Sequence, residues 1–314
     1  MNGRSSGGFN GLLLIDKPRN LTSHDVVARL RRLAGQKKVG HTGTLDPLAT
    51  GLLAVLLGPA TRLAPYLTKM NKTYLGRLEL GLVTETDDAA GRVLGRHGGP
   101  WPTEDQVRMV LRAGEGEIEQ IPPAFSAVQV GGRRAYRAAR AGLPLDLPPR
   151  RVTAFRLELI RYEPPVLDFA AAVSSGYYIR ALARDLGRTL GLGGGALTEL
   201  RRTELGPWTL DQAWTLEEVT AWTPEDGWRA GLKPPAEALP HWPSLVLTEP
   251  ISANHFVQGR RLPTFSQTGR YKIMDCQGRL IGLGQIETGA AHEGASIPPP
   301  GSFLRPLGVF PVSS

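Results

Sequence analysis

The residues with the clearest chemical content lie in one loop, where a lone carboxylate is set among turn formers. Residues 40–51 read Gly-His-Thr-Gly-Thr-Leu-Asp-Pro-Leu-Ala-Thr-Gly. Pro47 fixes its own φ, removes a backbone donor and biases Asp46 towards extended geometry. Gly43 allows tight turning, and the hydroxyls of Thr42 and Thr44 can bond locally. Such a loop can aim one carboxylate at a substrate as a base, a nucleophile or an electrostatic partner. Residue types alone leave a second reading open, because Asp-Pro pairs also simply close turns. No second acid flanks Asp46, so this is not the paired-carboxylate arrangement of a hydrolytic glycosidase.

The other reactive types exclude several chemistries. One cysteine, Cys276, allows no intrachain disulfide and fits a reducing, cytoplasmic setting. Six histidines without i,i+4 pairing or a cysteine cluster give no zinc signature, so no metal is expected. Gly193-Gly194-Gly195 lacks a downstream Lys-Ser/Thr, so a nucleotide-binding loop, and with it a nucleotide cofactor, is not expected. No apolar run approaches the roughly 20 residues of a membrane helix, and residues 1–10 have no apolar core of a signal peptide.

The net charge is +8. Its distribution says more than its sum. Residues 29–38 carry five basic side chains and no acid. Residues 130–156 carry seven arginines, Arg133, Arg134, Arg137, Arg140, Arg150, Arg151 and Arg156, against Asp146 alone. Guanidinium forks suit phosphates, and two dense patches point to a nucleic acid rather than to solubility alone.

The positioning elements follow from periodicity. Gly11–Asp16 reads as a strand. Ser23 is placed to cap a helix with Val26, Val27, Leu30 and Leu33 on one face, ended by Gly35. Gly40–Gly51 reads as a loop delivering into a buried strand, Leu52–Leu57. Thr73–Val83 alternates as a strand with Tyr74, Leu78 and Leu80 on one face. Thr103-Glu104-Asp105-Gln106 is a capping box for a helix through Val107, Val110 and Leu111. Val152–Tyr162 and Val166–Ser174 pair around Glu163-Pro164-Pro165. Ile179, Leu182, Leu186 and Leu190 line one face of a helix stopped at Gly191. The interleaving lacks a βαβ repeat. An α+β fold with a mixed, mainly antiparallel sheet is therefore expected.

Three segments are expected: a loose tail over 1–10, a catalytic domain over 11–235, and a small β-rich module over 243–314. The boundary falls in the Pro- and Trp-rich stretch 223–243. Strands are expected at Ser244–Leu247, Arg270–Met274, Leu280–Ile286 and Phe303–Leu307, with a Pro-rich loop at Ile297–Gly301.

The loop around Asp46 resembles, almost residue for residue, the catalytic motif of the TruB-type tRNA pseudouridine synthases. Four further segments resemble the family in order and spacing. They are Gly11–Pro18 followed by Thr22-Ser23, Lys72-Thr73-Tyr74 followed by Leu80-Gly81 and Asp87-Asp88, Ser175–Arg180 followed by Asp185-Leu186-Gly187, and Leu200-Arg201-Arg202-Thr203. The likeness spans residues 11 to about 210, and the C-terminal module more loosely resembles the family's PUA-like RNA-binding domain. The chain departs from the family at Phe125 and Gln129, where Tyr and Lys are usual, and at Glu85.

The resemblance implies a cofactor-free isomerase acting on uridine 55 in the T arm of tRNA. Asp46 would be the catalytic carboxylate and Arg180 its orienting partner. Tyr74 would stack on the flipped base, with Leu200 on its other side. His41 would shape the space near the flipped nucleotide, and Lys17 and Tyr178 would complete the substrate contacts. An insertion over about 122–151, with Arg133, Arg134, Arg137, Arg140, Arg150 and Arg151, would grip the RNA backbone. A monomer needing no protein partner is expected. Leu48-Ala49-Thr50 and the long insertion resemble the stand-alone bacterial form more than the guide-dependent dyskerin type. A tRNA-folding chaperone is the reading from another class, since basic patches serve it equally.

Overall fold

In the computed structural model the residues described are 8–222, 226–264, 266–288 and 302–310. The segment around Asp46 grows out of a ten-stranded sheet. From one edge its order is Trp214–Thr215, Gly11–Lys17, Thr50–Leu57, Gly195–Leu205, Lys72–Leu80, Val166–Val173, Arg150–Glu163 and Gly116–Gln120. Val39–His41 and Trp208–Thr209 attach to it as side branches. Two pairings are parallel, Gly11–Lys17 with Trp214–Thr215 and Gly195–Leu205 with Thr50–Leu57. The other pairings are antiparallel. The mixed, mainly antiparallel α+β architecture expected from the sequence is the one observed.

The centre of the sheet is apolar on both faces, which explains why Leu52–Leu57 reads as an unbroken apolar run. Leu13, Ile15, Leu53 and Val55 join the core beneath helices Ser23–Leu33, Glu104–Ala113 and Ile179–Thr189. The alternate residues Leu12, Leu14, Leu52, Ala54 and Leu56 point the other way. They pack with Leu63 and Leu67, and with Leu283 and Phe310 from the C-terminal part of the chain. That part forms a five-stranded sheet ordered Ser244–Leu247, Gly269–Asp275, Leu280–Thr288, Ser302–Val309 and Leu262–Thr264. Helix Pro250–Val257 inserts Phe256 into its own small core with Ile273, Ile281, Ile286 and Leu304.

Several local expectations change. Thr22, not Ser23, caps the first helix, closing a reciprocal box with Asp25. Ser23 is thereby freed to turn inward. Val39–His41 pairs with Thr50–Leu57, so the segment expected as a loop from Gly40 begins on a strand. The strand expected over Thr73–Val83 ends at Leu80, because Gly81 takes φ +72° and a Cβ there would meet His97 at 2.5 Å. Residues 8–10, expected within a loose tail, are anchored. The Phe9 ring stacks on Trp228 at 5.0 Å, and Asn10 Oδ1 accepts from the Ala60 amide at 2.9 Å. Residues 1–7 and the Pro-rich loop Ile297–Gly301 lie outside the described residues. Among the described residues no helix is long and apolar enough to cross a membrane.

Candidate active site

Asp46 sits on a loop tied down on nearly every side. The Thr42 amide donates to Ala54 O at 3.0 Å, the Asn20 amide to Pro47 O at 2.8 Å, and the Ala49 amide to Asp46 O at 3.0 Å. Ser23 Oγ donates to Leu45 O at 3.2 Å and accepts from the Leu45 amide at 2.8 Å. Leu45, Leu48 and Ala49 are buried anchors. The backbone is thus fixed while the Asp46 side chain keeps 37% of its exposure. Local hydrogen bonds and buried neighbours hold the loop, and the one group with reactive potential faces outward.

Arg180 meets that carboxylate, its Nε lying 2.9 Å from Asp46 Oδ2. The arginine is the second residue of helix Ile179–Thr189, where a cation opposes the helix dipole. Four acceptors compensate its burial. Beside Asp46, Asp88 lies 3.7 Å away, and the Nη atoms donate to Thr86 O and Phe125 O, each at 3.0 Å. Asp88 is itself 7% exposed and accepts from the Thr86 hydroxyl at 2.6 Å and the Ala90 amide at 3.1 Å. One turn along the helix, Arg184 bridges Asp87 and Asp185 at 3.1 and 2.8 Å. Burial pushes the Asp87 carboxyl up, and Arg184 and Arg180 work against that shift.

A second group of cations lies behind the loop. Arg202, 1% exposed, donates from Nε to Leu52 O at 2.6 Å and from Nη2 to Gly43 O at 3.3 Å. Lys17 is fully buried and donates to Pro18 O and Leu21 O. Burial lowers its pKa to about 8, with Asp46 pulling it back up and Arg202 adding to the fall. Lys72 donates to Thr68 O and Met70 O. Burial and Arg202 lower it to about 8 as well. Gly51, at φ +97°, lets the strand pass against Arg202, since a Cβ there would lie 2.3 Å from Arg202 O.

The remaining expected residues fall in two groups. Tyr74 and Leu200 lie on neighbouring antiparallel strands, where Arg202 pairs with Tyr74 and Leu200 with Gly76. Cross-strand partners share a face, so Tyr74, Leu200 and Arg202 share one. Tyr74 and Leu200 are 7% and 9% exposed. His41 is part-buried, its Nδ1 has no partner among the described residues, and its pKa is lowered by burial and by Arg202. Tyr178 faces elsewhere. It packs against the insertion's small core of Val128, Ala135 and Leu147, and its backbone exchanges hydrogen bonds with the Gln120 side chain. Its neighbour Tyr177 is 8% exposed, its hydroxyl has no partner among the described residues, and burial raises its pKa.

Among the described residues none of the six insertion arginines pairs with Asp46. Arg133, Arg134, Arg137, Arg140, Arg150 and Arg151 are all exposed. Arg137 and Arg140 lie 5.9 and 5.8 Å from the Tyr136 ring centroid. A 380 Å³ cleft borders Leu48, Thr50 and Leu200 but does not include Asp46. Among the described residues no group of three His, Cys, Asp or Glu side chains is placed to hold a metal.

Comparison with known proteins gives this geometry a family. Residues 31–179 match the "TruB family pseudouridylate synthase (N terminal domain)", and residues 180–239 match the "tRNA pseudouridylate synthase B C-terminal domain". The tRNA pseudouridine synthase B of Thermobifida fusca is 42% identical over 90% of this chain and 97% of its own length. That of Stutzerimonas stutzeri is 41% identical over 88% of this chain and 92% of its own.

The chain belongs to the TruB family of pseudouridylate synthases.

Membership makes it an enzyme of pseudouridine formation. The family likeness extends to solved structures. A Cbf5-Nop10-Gar1 complex is similar with a TM-score of 0.67 and 27% identity, covering 88% of this chain and 78% of that one. The identity to the TruB relatives is higher than to that complex. Sequence reasoning missed Asp88, Arg202 and Lys72 as parts of the site. The signals were present in the Asp87-Asp88 pair and in two charged residues on otherwise strand-forming segments. Only the register shows that they face inward.

Proposed function

We propose that this chain converts uridine to pseudouridine in the T arm of tRNA, at uridine 55, with Asp46 as the catalytic carboxylate. One observation supports this above the rest. A half-exposed carboxylate on a tied-down loop meets a buried guanidinium at 2.9 Å, and the loop's Leu45 and Leu48 join the same core cluster as Tyr74 and Leu200.

The isomerisation breaks the N1–C1′ bond, turns the uracil and joins C5 to C1′. The C5 proton leaves and N1 gains one, so base and sugar are both retained. A stacked uridine must first leave the helix, at a cost of a few kcal/mol. Stacking on Tyr74 returns about 1–3 kcal/mol, and Leu200 bounds the base opposite it. His41, with Nδ1 free of protein partners, offers a hydrogen bond to the flipped nucleotide. Lys17 and Arg202 supply positive charge behind the loop. Arg180 holds the carboxylate in one direction through a charge-assisted bond, so little reorganisation is left for the chemical step. The exposed insertion arginines contact phosphates. The insertion is coupled to the site, because Phe125 O accepts from Arg180 and Tyr178 packs on the insertion core.

The test is tritium release from tRNA transcript carrying 5-tritiated uridine. Asp46→Asn is expected to abolish release while tRNA affinity stays within a few-fold, and retained release would end the assignment. Mapping pseudouridine in the product checks position 55. The reaction should run on bare transcript, and strict dependence on a guide RNA would sink the stand-alone reading.

A further inference from the structure

A cleft of 600 Å³ opens between the two sheets, away from the Asp46 carboxylate. Its walls come from four separate segments: Tyr66, Lys69 and Asn71 after the short helix Ala64–Leu67, the turn Gly206-Pro207, His241 and Trp242, and Arg270 on strand Gly269–Asp275. That volume is within the range that holds a small ligand. We infer that this cleft is a second RNA-binding site, stacking one unpaired nucleotide on its aromatic wall while Lys69 and Arg270 hold the flanking phosphates. The inference rests on the RNA substrate proposed above.

Charge selects the ligand. Among the described residues no carboxylate lines this cleft, whereas Glu115 and Glu158 line the 320 Å³ cleft and Asp168 and Glu199 the 380 Å³ one. In a chain with 29 acidic residues, a cleft lined by lysine, arginine and histidine without a counter-charge suits a polyanion.

The aromatic wall is pre-positioned. The Trp242 ring meets Tyr66 edge-on at 5.1 Å and 78°, and the Arg270 guanidinium lies 5.8 Å from its centroid. The Trp242 backbone is pinned through Leu239 O at 3.1 Å. An aromatic beside cations is how single strands are gripped, the ring taking a base face and the cations the backbone.

Placement links it to the reaction. The Gly206 amide donates to Asn71 O at 2.9 Å, and the next residue, Lys72, lies behind the catalytic loop close to Gly43. Lys72 and Arg202 are buried, so they connect the cleft to the loop through the fold rather than along the surface.

The experiment measures binding of full-length tRNA transcript to the chain carrying Asp46→Asn, by filter retention across a salt series. The double change Lys69→Ala and Arg270→Ala should weaken binding about tenfold and reduce the slope of log affinity against log salt by about 1.4–1.8, two phosphates' worth. Trp242→Leu should weaken binding at least about fivefold at unchanged slope, while Trp242→Phe keeps affinity. Equal unfolding midpoints for the Leu and Phe variants show that the ring, not the fold, is read. Unaltered affinity and slope in the double variant, or equal affinity for Leu and Phe, would overturn the cleft. If the parent chain released no tritium yet showed the slope change, the reaction assignment would fall and the cleft would stand.

Discussion

Arginines in two regions of this molecule are set to different tasks by their surroundings. Arg180 and Arg202 are 6% and 1% exposed, and their planes are fixed by backbone carbonyls and, for Arg180, carboxylates. The insertion arginines are exposed, and among the described residues the one ion pair of Arg151 is the 3.6 Å contact with exposed Glu117, a kind of pair that contributes little. Interior guanidinium groups act as struts whose loss leaves buried carbonyls unpaired, at about 1–3 kcal/mol each. Exterior ones remain free to meet a phosphate. The difference teaches that arginine density marks a partner, while arginine burial marks a built site.

Breaking the interior set should have the largest effect. Arg180→Lys keeps the charge but cannot reproduce the fork that holds Asp46, Thr86 O and Phe125 O. Single-turnover rates should fall about 10²–10³-fold with tRNA affinity changed only a few-fold. A rate within tenfold of the parent would show that the carboxylate needs no aiming.

Gly51→Ala asks whether the strut's seat matters. Strain at φ +97° and the 2.3 Å approach to Arg202 O should together cost about 3 kcal/mol or more, read as a lower midpoint in urea. A neutral result would mean that the backbone there yields.

A smaller effect should appear with pH. Lys72 titrates near 8 when folded and 10.5 when unfolded. Below pH 8 its ammonium is charged in both states and the burial penalty is fully present. Between about 8 and 10.5 the unfolded chain binds more protons, so stability rises with pH. The melting temperature of the parent relative to Lys72→Met should therefore climb across that window in calorimetry. A flat difference would contradict a buried, charged lysine.

The exterior set gives the smallest effects. Arg137→Ala should lower tRNA affinity a few-fold and the salt slope by about 1, with stability unchanged within about 0.5 kcal/mol. A larger loss of stability would make Arg137 part of the interior class.

Much of the scaffold was legible because its signals are local. The Thr103 capping box, the apolar run at Leu52–Leu57 and the stripe of Ile179, Leu182 and Leu186 all became the expected elements. Strand Gly195–Leu205 was not. Glu199, Arg201, Arg202 and Glu204 break its alternation, and two register shifts displace it against Lys72–Leu80. Arg202 is buried because carbonyls 150 and 159 positions away accept from it, and no local pattern encodes that. Helix Pro250–Val257 escaped too, being short with Phe256 as its one buried residue. At the site, Asp46 and its meeting with Arg180 were expected through the motif resemblance. The roles of Asp88 and Lys72 depend on a register that only folding sets.

The two-faced burial of strand Gly11–Lys17 has a consequence for biosynthesis. Ile15 pairs with Trp214, which is made roughly 200 residues later. The strand's reverse face is covered partly by Leu283 and Phe310. At about 5–20 residues per second, the nascent strand waits some 10–40 s for its edge partner and longer for its cover. Loop closure over such a span is slow. The strand is therefore sealed late, and a pause in synthesis within the C-terminal sheet would leave that face of the larger sheet open to chaperones or aggregation.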